Sequence, residues 1–91
     1  MSTKKKVFLG NIHIAYVNVG LMSEFCRVLG IVNYTAWVRQ QAFDTYGITL
    51  YSKSDLEHLQ HCTENDYYDS VGEWLHDRMR TLLREAKKGN R

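Results

Sequence analysis

The sequence predicts a small single-domain α+β protein, and three observations carry that expectation. Val7–Val19 is rich in β-branched and aromatic residues and lacks the charges that a surface helix displays. Residues 34–52 read as two strands around the turn Asp44-Thr45-Tyr46-Gly47. Residues 66–88 keep apolar side chains at helical spacing throughout. The expected architecture is a three-stranded, largely antiparallel sheet (7–19, 34–43, 48–52) packed against a long C-terminal helix, with short helices beside it. Ninety-one residues can bury one core but not two, so residues 1–91 form a single domain, with 1–6 and 89–91 as loose ends.

The first strand, Val7–Val19, has Phe8, Ile12, Ile14 and Tyr16 on one parity and Val7, Leu9, Ala15 and Val17 on the other. Gly10-Asn11 marks a bulge in it, and Gly20 ends it. Leu21–Leu29 follows as a short helix with an apolar stripe of Leu21, Phe25, Val28 and Leu29, closed by Gly30 as a left-handed cap.

The segment 34–52 admits two readings. As a hairpin with Gly47 in the left-handed position, it places Tyr34, Ala36, Val38, Ala42, Ile48 and Leu50 on a core face. Trp37, Arg39, Gln41, Thr49 and Tyr51 then lie on the other face. As a helix, Tyr34, Trp37, Val38 and Ala42 also form a stripe. The density of Thr, Trp, Val, Tyr and Phe favours strands. A helix over 33–43 would replace the three-stranded sheet and favour a DNA-binding regulator.

Ser54-Asp55-Leu56-Glu57 reads as a capping box opening a short helix to about His61, and Thr63–Asn65 as a second helix start. In the last helix, Tyr67, Tyr68, Val71, Trp74, Leu75, Met79, Leu82, Leu83 and Ala86 mark the apolar face. Val71, Leu75, Met79 and Leu82 are the expected core. Acids in its first turns and bases in its last complement the helix dipole.

Charge is segregated along the chain. Residues 1–43 carry +4, residues 44–77 carry −7 and residues 78–91 carry +5. Cys26 and Cys62 sit in apolar helical contexts and read as buried free thiols in a reducing cytoplasm. Lys4–Lys6 before an apolar run resembles the start of an export signal. Asn11, His13 and Asn18 interrupt that run and no small-residue cleavage site follows, so export is not expected. No stretch approaches the ~18 apolar residues of a membrane helix, and no membrane partner is expected.

Chemistry is thinly represented. His58, His61 and Cys62 have metal-ligand types, but a closed zinc site wants four ligands and Cys26 is the only other cysteine, so no metal is expected. Neither cysteine is spaced to pair with a histidine as a nucleophile, the carboxylates of 66–77 serve a helix start, and no glycine-rich phosphate loop occurs. The expectation is a protein that is not an enzyme, with no cofactor and no small-molecule substrate.

Two features suit binding. Arg78, Arg80, Arg84, Lys87, Lys88 and Arg91 form a basic helix end, with Lys4, Lys5 and Lys6 as a second basic element suited to phosphates or acidic protein surfaces. Trp37, Arg39 and Tyr51 share one face of the expected hairpin and are of the types enriched in interface hot spots.

In general character this α+β chain resembles small phage-encoded antagonists of host machinery, the anti-CRISPR proteins among them. That group shares no motif, so no residue is carried over. The resemblance implies a non-catalytic inhibitor in the cytoplasm of a bacterial host cell. It would occlude a host protein or ribonucleoprotein complex, with its basic residues meeting phosphates or acidic side chains held there.

Residues 21–59 support a different reading. Phe25, Leu29, Gly30 and Ile31 fall where a helix-turn-helix wants its hydrophobic and turn residues. Leu50-Tyr51-Ser52-Lys53-Ser54-Asp55-Leu56 is similar to the wing-to-helix passage of excisionase-like winged helices. That resemblance implies a DNA-binding regulator contacting DNA through Asn33, Thr35 and Arg39. The chain departs from it at Ala36 and Arg39, which occupy positions the family buries, and in its long N-terminal strand.

Overall fold

The computed structural model describes residues 3–89, in the order β1 (Lys4–Leu9), β2 (Ile12–Asn18), α1 (Val19–Leu29), α2 (Tyr34–Tyr46), α3 (Lys53–Asn65) and α4 (Val71–Gly89). The α+β class holds. The sheet, however, is a two-stranded antiparallel hairpin rather than the expected three strands.

The segment read as one long strand folds back on itself. Gly10-Asn11 is not a bulge but a two-residue turn between Leu9 and Ile12, with Gly10 at φ 62° where an L side chain would be strained. Lys4–Lys6, expected to be loose, are the first half of β1. The ladder pairs Val7 with Ala15 and Phe8 with His13, so Ile14 is an extra residue in β2. This bulge turns both Ile14 and Ala15 inward, which is why buried residues of β2 straddle the two parities. Val7, Leu9 and Val17 join them in the core, while Lys6, Phe8 and Tyr16 face out.

Helix α1 begins where the Asn18 side chain accepts the Leu21 N–H at 2.8 Å, and it ends at Gly30 with φ 70° as expected. It packs chiefly on α4, burying Phe25.

Residues 34–46 are helical, so the two expected strands 34–43 and 48–52 do not form. Asn33 caps α2 by accepting the Ala36 N–H at 3.1 Å. Gly47 is left-handed, as the hairpin reading required, but it serves as the helix C-cap, its N–H reaching Phe43 O at 2.9 Å. Val38 and Ala42 are fully buried on the inner face. Residues 48–51 form no regular element and pair with no strand among the described residues. They bury Ile48 and Leu50 in the core and form no hairpin wing.

The capping box lies two residues earlier than expected. Ser52 Oγ accepts the Asp55 N–H at 3.2 Å, and the Asp55 carboxylate accepts the N–H groups of Tyr51 and Ser52. Those backbone and hydroxyl donors hold the Asp55 carboxyl below the usual range. The helix continues through Thr63, which is buried and donates to Gln60 O at 2.9 Å, so Thr63–Asn65 ends a helix instead of starting one. Tyr67 then takes φ 70°, and its N–H returns to Glu64 O.

The last helix starts at Val71, not at residue 66, with the Ser70 hydroxyl accepting the Glu73 N–H at 3.2 Å. Val71, Leu75 and Met79 are buried as expected, but Leu83 is buried more completely than Leu82. Trp74 is also enclosed, in contact with Tyr46. α4 lies against the outer edge of β2 so closely that a Cβ on Gly72 would come within 2.7 Å of Tyr16 O. One turn on, the Asn18 N–H donates to His76 Nε2 at 2.9 Å. These contacts cover the edge that β2 would otherwise expose. No helix among the described residues is long and apolar enough to cross a membrane. Of the termini read as loose, Met1, Ser2, Asn90 and Arg91 lie outside the described residues.

Candidate binding surface

The basic end of α4 divides into cations that hold the fold together and cations that face solvent. Arg78 donates through Nε and Nη2 to Gln41 Oε1, at 3.1 and 2.8 Å, tying α4 to α2. Lys87 pairs with Glu24 of α1 at 2.8 Å, and that pairing lowers the pKa of the Glu24 carboxyl. Arg78 and Lys87, both expected to meet a partner, are therefore engaged within the chain. Arg80, Arg84 and Lys88 are exposed and have no acidic partner among the described residues. Their four-residue spacing puts them in one row along α4, about 6 Å apart in rise.

The second basic element meets the first. Lys4 and Arg80 line one cleft together with Asn18, Leu21, Glu73 and His76. Both cations act on His76, whose pKa is depressed mainly by burial. Arg80 and Lys4 add to that effect, and Glu73 opposes it. His76 accepts from Asn18 through Nε2, so its neutral form carries the proton on Nδ1, which faces Glu73 at 3.6 Å. Lys4, Lys5 and Lys6 are exposed along β1. The +4 and +5 ends of the chain thus adjoin through Lys4 and Arg80.

Several acids of the middle segment are used inside the chain. Asp66 accepts from Tyr46 and Asp77 from Tyr68, each at 2.6 Å, and Asp55 caps α3. The phenol of Tyr46 is raised by burial and that of Tyr68 by its hydrogen bond to Asp77, which keeps both as donors. Glu57, Glu64 and Asp69 remain exposed on α3 and the turn after it, whereas Glu73 and Glu85 are exposed on α4 among its cations.

The expected aromatic face is broken up. Trp37 is half-buried against Phe25 and Tyr34, with ring centroids 4.6 and 5.4 Å away, and is no exposed anchor. Arg39 and Tyr51 do meet. The guanidinium lies 4.6 Å from the Tyr51 ring centre and donates to Leu50 O at 3.2 Å. They line a groove of about 390 Å³ with Phe43, Ile48 and Leu50, where Phe43 takes the exposed place expected of Trp37.

The residues implied by a helix-turn-helix are engaged locally. Asn33 Oδ1 accepts from the Ala36 N–H and the Thr35 hydroxyl, and Arg39 is held by Leu50 O and the Tyr51 ring. Among the described residues, no group of three or more His, Cys, Asp or Glu side chains could hold a metal ion. His61 lies 3.9 Å from Glu64 on the exposed side of α3. Cys26 and Cys62 are free and half-buried, less enclosed than expected, and burial raises the Cys26 thiol pKa.

Sequence reasoning missed the outer face of the hairpin. Phe8, His13 and Tyr16 cluster there, with Lys6 directly across from Tyr16. Gly10-Asn11 between apolar stretches was the available signal for the turn, but an unbroken ladder from that turn would pair Tyr16 with Lys5 on the inner face, and only the extra residue at Ile14 brings Tyr16 onto the face of Phe8. The chain matches no protein-family model, no curated protein and no solved structure.

Proposed function

We propose that this chain is a non-catalytic binding protein that inhibits a nucleic-acid-handling complex of its host cell by occlusion, in the manner of small phage antagonists. One observation carries the reading: Lys4 and Arg80 line one cleft, with Glu73 as its acid, and Arg84 and Lys88 continue the row of cations along α4. These cations have no salt-bridge partner among the described residues, and Glu57, Glu64, Asp66 and Asp69 are exposed on α3 and the α3–α4 turn, although Glu73 and Glu85 are exposed on α4. Such polarity favours an anionic partner docked in one orientation. If Arg80, Arg84 and Lys88 each met one duplex phosphate, log K would fall with log salt at a slope of about −2.7.

The helical state of 34–46 favours a second reading, a helix-turn-helix regulator formed by α1 and α2. The charge on α2 weighs against it. Arg39 is the only cation of that helix, and Asp44 lies on the same helix. A recognition helix with one committed arginine and no wing beside it is poorly equipped to neutralise phosphate.

Pull-down from a bacterial lysate, in nuclease-treated and untreated arms, separates the readings. The expected result is capture of a defined protein or ribonucleoprotein complex, abolished in Arg80→Glu/Arg84→Glu/Lys88→Glu while the fold stays intact. Arg78 is left untouched because of its bonds to Gln41. Recovery of one specific duplex sequence without a protein partner would overturn occlusion and establish the regulator.

A further inference from the structure

The outer face of the β1–β2 hairpin carries large aromatic surface that the core does not use. Phe8 is 44% exposed and Tyr16 50%, and each touches the ring of His13 between them, at centroid distances of 5.5 and 4.6 Å. The His13 ring is fixed in turn by a 3.0 Å hydrogen bond between Nε2 and Ala15 O. The two exposed rings are thus buttressed, which lowers the ordering cost of stacking a planar ligand on them.

Cations alternate with these rings. On β1, Lys4, Lys6 and Phe8 share the outward parity at intervals of about 7 Å, and Lys6 is the cross-strand partner of Tyr16. Lys4 connects this face to Arg80. Glu64 and Asp69 line the cleft beside β2, together with Lys4, His13 and Tyr16, while Glu73 lines both that cleft and the one Lys4 shares with Arg80. Their charge directs a phosphate chain toward the β1 side of the hairpin.

We propose that this face is a stacking platform for single-stranded nucleic acid, with bases on Phe8 and Tyr16 and phosphates on Lys4, Lys6 and Arg80. A duplex hides its base faces in the stack, whereas a single strand offers them to aromatic side chains without regard to sequence. The inference rests on the occlusion reading and names its polyanion as an unpaired strand exposed within the target complex.

Fluorescence anisotropy of the full chain with labelled oligothymidine, oligouridine and a duplex of equal length tests this. Single strands should bind several-fold more tightly than duplex at the same salt. Removing one ring by Phe8→Leu or Tyr16→Leu, which keeps apolar bulk but removes the π-face, should weaken binding by about tenfold. The salt slope should stay unchanged in these variants, whereas Lys6→Gln should flatten it by about 0.7, the share of a single phosphate. Thermal unfolding of each variant confirms an intact fold, and alanine at the same positions provides a second pair. A preference for oligouridine or oligothymidine supports the platform and identifies the natural strand as RNA or DNA. Unchanged affinity in the leucine and alanine variants, or duplex bound as tightly as single strand, would overturn it. Loss of complex capture in the Arg80/Arg84/Lys88 variant, with Phe8 and Tyr16 variants binding oligonucleotide normally, would remove the platform and leave occlusion standing. Ring-dependent oligonucleotide binding without any captured complex would do the reverse.

Discussion

Replacing Gly72 with alanine tests the packing that joins the helical layer to the hairpin. In an open helix the change would stabilise by up to about 1 kcal/mol, because glycine gives up more backbone freedom on folding. Here the new Cβ would sit 2.7 Å from Tyr16 O, against an ordinary separation of at least 3.4 Å. α4 must therefore withdraw from β2 by about 0.7 Å at that point, because a backbone carbonyl in a paired strand cannot swing aside as a side chain could. If the same displacement carries one turn along α4, the 2.9 Å bond from Asn18 to His76 stretches to about 3.6 Å and ceases to be a hydrogen bond. An unmade bond at a buried imidazole nitrogen costs about 1–3 kcal/mol. Set against a helix gain of about 1 kcal/mol, the net expectation is a destabilisation of about 0–2 kcal/mol in place of the gain that an open helix would show. Each kcal/mol should lower the melting temperature by about 4–8 °C in a domain of this size. Urea unfolding of Gly72→Ala should be read beside Gly89→Ala, whose Cβ would meet nothing within 4 Å. Gly72→Ala more stable than wild type, with the Asn18 amide still bonded to His76 by NMR, would refute the close approach.

Two further outcomes are expected. Leu75 is fully buried at the centre of α4, so Leu75→Ala should cost about 2–5 kcal/mol in urea unfolding through reduced burial and a residual cavity. Burial holds the His76 pKa below its ordinary value of 6.5, so the folded state binds fewer protons there than the unfolded chain. The stability from neutral His76 is therefore complete above pH 6.5 and declines as pH falls from there toward the depressed folded value. His76→Gln should remove that decline from urea midpoints measured between about pH 7.5 and 5. The corresponding decline from the lowered carboxyls of Glu24 and Asp55 falls at more acid pH, below their ordinary values of 4.5 and 3.8.

The amino-acid order alone determined the elements whose local signals agree. In α4 the apolar spacing and the charge gradient all indicate a helix, and in α1 the stripe and Gly30 do the same. The α+β class and the segregation of charge were legible for the same reason. The segment 34–46 was not, because its signals conflict. A left-handed glycine closes a hairpin loop as readily as it caps a helix, and Gly47 has no feature that distinguishes the two. β-branched and aromatic residues favour strands by well under 1 kcal/mol each, less than burying Val38 and Ala42 and packing Trp37 on Phe25 can return. Asn33 was the overlooked local cue. The extra residue at Ile14 also lay beyond pattern reading, since strict alternation assumes an unbroken ladder. Among the site residues, their charges and types were plain, but their availability was not. Whether an arginine faces solvent or bonds across the core depends on what another helix places within reach. Gln41 withdraws Arg78 and Glu24 withdraws Lys87, whereas the docking of α4 against β2 brings Lys4 to Arg80. These pairings join residues far apart in the chain, and only tertiary packing could decide them.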